Sequence, residues 1–378
     1  MNETATHSND DSAAVVGEIG RVLQAAVDAE AAVEGAACIL RVELPSRGLV
    51  WRHVAGGLSR GGEPALVSTP FRIASITKPF TAAVVVQLVG EGRLALDDLM
   101  TQHLPAEYAD LVPRLHVLDG VSHGERITIR QLLTHASGLY DYAMSPSFGA
   151  AIFADPGHVW TPREMLEGAI AWGAPHFPPG EGYGYAYSDT GYVLLGVIIE
   201  ALDGRPLHQA YRRRILDPLG LDATYLEGFE PHRGSAIAHV HEGAFDAAAI
   251  HGSADWAGGG LVSDVDDLAA FAQALVAGRV VQPPLIDEML DYRFRTLDPE
   301  LHSPGYLGYG LGVDARDSEG LVLRGHRGHW GVLMHCHPAS GLTITGTINQ
   351  ADRRPDALMR SATVAICASG LIDNGAVS

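Results

Sequence analysis

The sequence predicts a protein of mixed class, α/β plus all-α: a sheet flanked by helices, assembled from both ends of the chain, with a helical domain inserted between them. Three observations carry this. Strand-like runs cluster near the start, within 37–55, and again near the end, within 309–348. Helical periodicity brackets both clusters, and the span between reads as helices joined by Pro- and Gly-rich loops. The division that follows is a discontinuous sheet domain of 12–80 and 251–378, a helical domain of 81–250, and a polar, disordered N-terminus of 1–11.

Taken in order, Val15, Val16, Ile19, Val22, Leu23, Ala26 and Val27 recur with helical spacing and predict an amphipathic helix from Ser12 to about Val33. Two strand runs follow, Ala37 to Leu44 and Gly48 to Ala55, joined by a Pro-Ser-Arg-Gly turn that reads as a hairpin. A short run, Phe71 to Ala74, leads into an apolar helical stretch. Helices are expected over Ile127 to Leu133, Pro162 to Trp172, Thr190 to Leu202 and Leu207 to Leu216. Beyond Gly258-Gly259-Gly260, Ser263 with the acid Asp266 three residues on predicts an N-cap for a helix from Leu268 to Ala277. Four strands are then expected, Tyr309 to Asp314, Gly320 to Leu323, Gly331 to His337 and Leu342 to Ile348, before a closing helix from about Arg353 to Ala368. No internal repeat or low-complexity tract interrupts this pattern.

Composition narrows the function. With 47% hydrophobic and 19% charged residues over 378 positions, the chain can bury a large core. Its 45 acids against 26 Lys and Arg give a net charge of -19. Nucleic acid and acidic membrane surfaces are therefore excluded as partners, because both require a basic face. The opening residues lack a basic start followed by an apolar run, and no stretch is long enough to span a bilayer, so a cytoplasmic location is expected. Cys38, Cys336 and Cys367 are too few and wrongly spaced for a disulfide framework or a thiolate zinc site, and are expected as free thiols. His335 and His337, with His239 and His241, lack an acid or Cys placed to complete a metal site. The Gly-x-Ser-x-Gly elbow, the phosphate loop and the dinucleotide fingerprint are absent, and no cofactor is expected.

One asymmetry points to chemistry. Of the 26 basic residues 25 are Arg, and the single Lys is Lys78. A GC-rich genome explains Arg in place of Lys on a surface; it does not explain the exception. Only Lys can become a neutral amine base, whereas Arg keeps its proton. Lys78 lies three residues after Ser75, a spacing that puts both side chains on one face of a helix. A serine hydroxyl becomes a good nucleophile when a neighbour takes its proton, and the free N–H groups of a helix start favour the negative charge that then develops.

The segment Phe71-Arg-Ile-Ala-Ser75-Ile-Thr-Lys78-Pro-Phe-Thr-Ala closely resembles the nucleophile segment of the penicillin-recognising serine hydrolases: class C β-lactamases, DD-carboxypeptidases, D-aminopeptidases and related esterases. The likeness runs from about Phe71 to Asn349. It includes Thr128 to Leu139, with His135 and Gly138, Asp217 to Thr224, and Ala257 to Ser263. These segments, rich in Gly and Pro, are read as structural signatures. The resemblance implies a β-lactamase/transpeptidase-like fold with an antiparallel sheet. It assigns Ser75 as nucleophile, Lys78 as its proton partner and Tyr187 as the family's proton-shuttling tyrosine. Where the family motif is Tyr-x-Asn, this chain has Tyr187-Ser188-Asp189, and an ionised Asp only accepts hydrogen bonds. Asp189 would favour the ammonium form of Lys78 and oppose its use as a base unless Tyr187 acts as the base, or it would bind a substrate ammonium or N–H donor. The third motif is assigned to His326-Arg327-Gly328, with an overlapping match at His329-Trp330-Gly331. The backbone N–H groups of Ser75 and His329 would form the oxyanion hole. His326, Arg327, Gly328 and Trp330, with Asp189, are candidate substrate contacts.

The expected function is hydrolysis of a small-molecule ester or amide, such as a D-amino-acid amide or peptide, through an acyl-enzyme. Alternatives are a transacylase that passes the acyl group to an amine or alcohol, a true β-lactamase or DD-carboxypeptidase, and a binding homologue without turnover. Histidine in the third motif and the expected location argue against the β-lactamase and carboxypeptidase. The oligomeric state is left open.

Overall fold

The computed structural model describes residues 8–32, 37–180, 184–234, 236–243, 245–293, 305–351 and 353–372. The first helix, α1, spans Ser8–Ala31, so the expected disorder of 1–11 gives way to helix from Ser8; residues 1–7 and Val33 lie outside the described residues. Strands β1 (Ala37–Leu44) and β2 (Leu49–Gly56) form the expected hairpin, turned by Pro45–Arg47 and by Gly48 at φ +63°, a conformation that favours glycine. A two-residue strand β3 (Phe71–Arg72) precedes α2 (Thr77–Gly90). This helix is apolar all round and buried along nearly its whole length, which makes it the central post of the molecule. The boundary expected at residue 80 falls inside it.

The middle of the chain holds α3 (Ile129–Leu133), α4 (Pro162–Trp172) and α5 (Asp189–Asp203), with the short strand β4 (Tyr225–Leu226) closing the region. Thr128 and Thr161 start α3 and α4 with reciprocal capping boxes to Gln131 and Glu164. The helix expected from Leu207 to Leu216 ends at Tyr211 and continues as a π-helical turn, Arg212–Leu216. Strand β5 (Leu261–Ser263) follows, pairing with β3 on one side and β4 on the other. The cap of α6 (Val265–Val276) is Asp264, whose carboxylate accepts the Asp266 and Asp267 N–H groups. Ser263 belongs to the strand instead, its hydroxyl on that of Thr224 at 2.8 Å.

Among the described residues the C-terminal part contains five strands where four were expected: β6 (Tyr306–Tyr309), β7 (Asp314–Ser318), β8 (Leu321–Gly328), β9 (Val332–Cys336) and β10 (Thr343–Thr347). The run Tyr309 to Asp314, read as one strand, is the turn between two, with Gly312 at φ +78°. Helix α7 (Asp356–Ala368) ends the fold. The seven-stranded sheet has the order β6-β7-β8-β9-β10-β1-β2 with every pair antiparallel, so the two ends of the chain meet where β1 pairs with β10.

Each face of the sheet has its own core. Ile19, Leu23 and Val27 of α1 and Leu358 and Ile366 of α7 cover one face, against Leu40, Val42, Leu323, Leu333 and Ile344. The other face, including Ile39, Val332 and Met334, packs on α2 and α6, where Phe80 and Phe271 stack with ring centroids 3.6 Å apart. That second core continues through Leu132, Met165 and Tyr192 into the helical region. Large aliphatic and aromatic side chains buried this way contribute about 1.5–3 kcal/mol each. Among the described residues no helix is long and apolar enough to cross a membrane.

Candidate active site

Ser75 lies in the 3-10 turn Ala74–Ile76, between β3 and α2. Ala74 takes φ +46°, an unfavourable angle for a residue with a Cβ, and the turn stays tight enough to present Ser75 just before the helix begins. Lys78, in the first turn of α2, is 0% exposed. Its Nζ donates to Ser75 Oγ at 3.0 Å, to the Gly258 carbonyl at 2.9 Å and to Asp189 Oδ1. Three acceptors meet the three protons of an ammonium. The Tyr187 and Tyr192 rings lie 4.8 Å and 5.3 Å from Nζ, which adds cation–π attraction. Such a set of acceptors suits an ammonium.

The Tyr187 side chain neighbours Ser75 as well as Lys78. Burial and then the Asp189 charge hold its phenol well above the usual tyrosine range, so it keeps its proton. Asp189 opens α5 and faces Gly258; a Cβ at that glycine would run into the Asp189 carboxylate. Gly258 thus leaves room for the acid while its carbonyl accepts from Lys78. The Asp189 N–H donates to Asp141 Oδ1 at 3.1 Å. Asp141 is buried, its Oδ2 has no partner among the described residues, and burial followed by the Asp189 charge raises its carboxyl well above the usual range.

A further acid, Asp255, lies beside this group. A Cβ placed on Gly259 would sit 2.9 Å from Asp255 Cβ and 3.5 Å from the Ala74 carbonyl carbon, so this acid neighbours the nucleophile turn. Burial and then Asp189 raise its carboxyl above the ordinary value.

The end of β8 packs on the same turn. A Cβ on Gly328 would run into the Ile73 carbonyl oxygen and come within 3.3 Å of Ala74 Cβ, and the exposed His329 follows directly. The remaining third-motif residues are placed differently from one another. His326 points toward Tyr187, with ring centroids 6.2 Å apart, but is 5% exposed, and both its nitrogens are engaged. Its Nδ1–H donates to the Arg327 carbonyl at 2.6 Å, so Nε2 accepts the Tyr309 hydroxyl at 2.9 Å. Burial pushes this imidazole down to about 3 and keeps it neutral. His326 is therefore part of the wall, and the substrate contact expected of it is not available to its nitrogens. Arg327 alternates to the face of the strand opposite His326 and binds Asp356 of α7 at 2.7 Å. Trp330, 9% exposed, packs into the core with its ring edge on His329. Arg327 and Trp330 are thus corrected from substrate contacts to supports of the fold.

The histidines considered for metal do not converge. His335 bonds Asp314, His337 bonds Ser340 and His239 bonds Asp246. Among the described residues no group of three or more His, Cys, Asp or Glu could hold a metal. The cysteines are free thiols.

Sequence reasoning missed His135, Asp141, Asp255 and Tyr309 as neighbours of the site. His135 and Asp141 sit within or just beyond the quoted Thr128 to Leu139 segment, and Asp255 just before the Gly-rich one, where their types could have marked them.

The antiparallel sheet with its helical cap, and the Ser-x-x-Lys turn between them, define a serine hydrolase. The chain belongs to the β-lactamase family, whose model matches residues 24–367. A D-stereospecific amidohydrolase from Streptomyces sp. is similar in structure, with a TM-score of 0.77 at 30% identity, covering 92% of this chain and 99% of that one. The esterase EstB of Burkholderia gladioli is 31% identical over 50% of this chain and 47% of its own. A D-aminopeptidase of Brucella anthropi is 29% identical over 70% of this chain and 46% of its own. The match thus spans under half the length of these last two proteins.

Proposed function

We propose that the chain hydrolyses amides or esters whose acyl part carries an ammonium group, D-amino-acid amides foremost, through an acyl-enzyme on Ser75. The observation that carries this is the filled coordination of Lys78: its three protons are spoken for, one by Ser75 Oγ, so the serine's own proton is directed to Tyr187. Ser75 Oγ attacks the carbonyl carbon as its proton passes to the Tyr187 oxygen and the Tyr187 proton passes to the leaving nitrogen or oxygen. The C–O bond to serine forms, the bond to the leaving group breaks, and the tyrosine ends as it began. Lys78 stays an ammonium and stabilises the negative charge shared by the two hydroxyl oxygens. The backbone N–H groups of Ser75 and His329 receive the carbonyl oxygen as it becomes an oxyanion. Water then follows the same route in reverse to release the acid.

The substrate class rests on charge. Lys78 is paired with Asp189, which leaves Asp255 as the further acid beside the nucleophile turn, and the third-motif histidine is neutral, so a cationic acyl group is favoured over an anionic one. The D preference rests on the relatives, a D-stereospecific amidohydrolase and a D-aminopeptidase. Intact-mass analysis after treatment with a fluorophosphonate tests the nucleophile: wild type gains one adduct and Ser75→Ala none. An unlabelled wild type overturns the reading. Rates on paired D- and L-phenylalanine amides and their nitrophenyl esters then test the substrate class.

A further inference from the structure

We propose that His135 is the positioning residue for the proton shuttle: it clamps both neighbours of Tyr187 in the chain and stacks on the tyrosine ring, fixing the phenol against Ser75. This rests on the reading of Tyr187 given above. The His135 carbonyl accepts the Ala186 N–H at 2.9 Å, and its Nδ1 accepts the Ser188 N–H at 3.1 Å. Residue 187 is thereby held between two bonds to a single residue. The imidazole lies over the Tyr187 ring with centroids 4.2 Å apart and an interplanar angle of 32°. Two further bonds extend the template: Thr190 Oγ1 donates to the Tyr140 carbonyl at 2.7 Å, and the Asp189 N–H to Asp141 Oδ1. The loop from His135 to Asp141 is thus the mould on which the Tyr187–Asp189 segment is laid.

Two features set His135 apart from an ordinary packed residue. It takes φ +57°, a left-handed conformation that residues with a side chain adopt uncommonly, histidine more often than most. Its Nε2 must carry the ring proton, since Nδ1 accepts, yet Nε2 is buried and has no hydrogen-bond partner among the described residues. The unpaired buried donor is destabilising by about 1–3 kcal/mol. A cost of this size at one position beside reacting groups points to function over stability. The clamp also requires a neutral ring, because a proton on Nδ1 would oppose the Ser188 N–H. The surroundings enforce this: burial and then Lys78 hold the imidazole well below the ordinary histidine range, and the other groups facing it are the neutral His326 and the hydroxyl-bearing rings of Tyr185, Tyr187, Tyr192 and Tyr309.

The test separates the acceptor from the ring. His135→Phe keeps an aromatic disc but removes the Nδ1 acceptor. His135→Asn removes the disc but places Oδ1 where Nδ1 was, and Asn tolerates the left-handed backbone. For His135→Phe the expectation is a fall in kcat and in the rate of Ser75 labelling of about 100-fold, with KM within about twofold, since small misplacements of reacting groups act on this scale. His135→Asn is expected to recover about tenfold or more of that loss. A general folding defect would not reproduce this, as it would lower the active fraction and be scored by the labelled fraction at completion. The proposal is overturned if His135→Asn is no faster than His135→Phe, or if His135→Phe labels at the wild-type rate. Wild-type labelling at Ser75 is read first: its absence counts against the hydrolase reading, and its presence leaves the variant comparison to decide the clamp alone.

Discussion

At the scale of single residues, the departure that matters is Asp189. With an amide at this position Lys78 would meet a neutral acceptor; with a carboxylate it meets a countercharge. Replacing Asp189 by Asn also removes a charge that holds the Tyr187 phenol above its ordinary range, so the tyrosine gives up its proton more readily. The alkaline limb of the pH dependence of kcat/KM is therefore expected to move to lower pH in Asp189→Asn. An unchanged limb would show that the two side chains are not electrostatically coupled in turnover. The same residue explains why the solitary lysine could be found from composition while its protonation state could not. The count of 25 Arg to one Lys marks Lys78, but the acceptors that fix its charge come from positions 75, 189 and 258, which only the fold brings together.

At the scale of elements, the site hangs on where strands and helices stop. Helix α6 is started by Asp264, which accepts two backbone N–H groups at 3.0 and 2.9 Å. Asp264→Ala is expected to lower stability by about 1 kcal/mol, the usual effect of losing such a cap, read as a lower urea midpoint with an unchanged slope. Ser263→Ala keeps the cap, so it bears on the strand alone. The sequence rule that singled out Ser263 failed by one position because Ser and Asp both cap, and pairing of β5 with β3 and β4 decided between them. Much else at this scale was legible: the hairpin of β1 and β2, and α4, whose bounds match those expected, both carry strong turn or cap chemistry. The splitting of the Tyr309 to Asp314 run into strand and turn was not, since a Gly-rich apolar run carries no periodicity that distinguishes them. For β8 the alternation of a strand was the missing step. Adjacent residues His326 and Arg327 cannot both face one cleft, and the side that faces Tyr187 goes to the histidine.

At the scale of the whole molecule, the proposed preference for a cationic acyl group has two sources of different range, the net charge of -19 and the acid beside the nucleophile turn. The diffuse charge of the surface steers cations toward the protein and anions away, and salt screens this beyond a Debye length, which falls from about 30 Å at 0.01 M to about 3 Å at 1 M. On the proposed reading Asp255, beside the nucleophile turn, acts at short range, where burial limits screening. A pair of nitrophenyl esters of equal size, one with an ammonium and one with a carboxylate on the acyl part, separates the two contributions. At low salt the ammonium ester is expected to have the higher kcat/KM. Adding salt lowers its rate and raises that of the carboxylate ester, so that the ratio narrows to a plateau set by the cleft. Asp255→Asn is then expected to lower the plateau ratio while leaving the salt-dependent part in place, because one charge in 45 acids hardly alters the distant field. A ratio indifferent to both salt and Asp255 would mean that shape, not charge, chooses the acyl group.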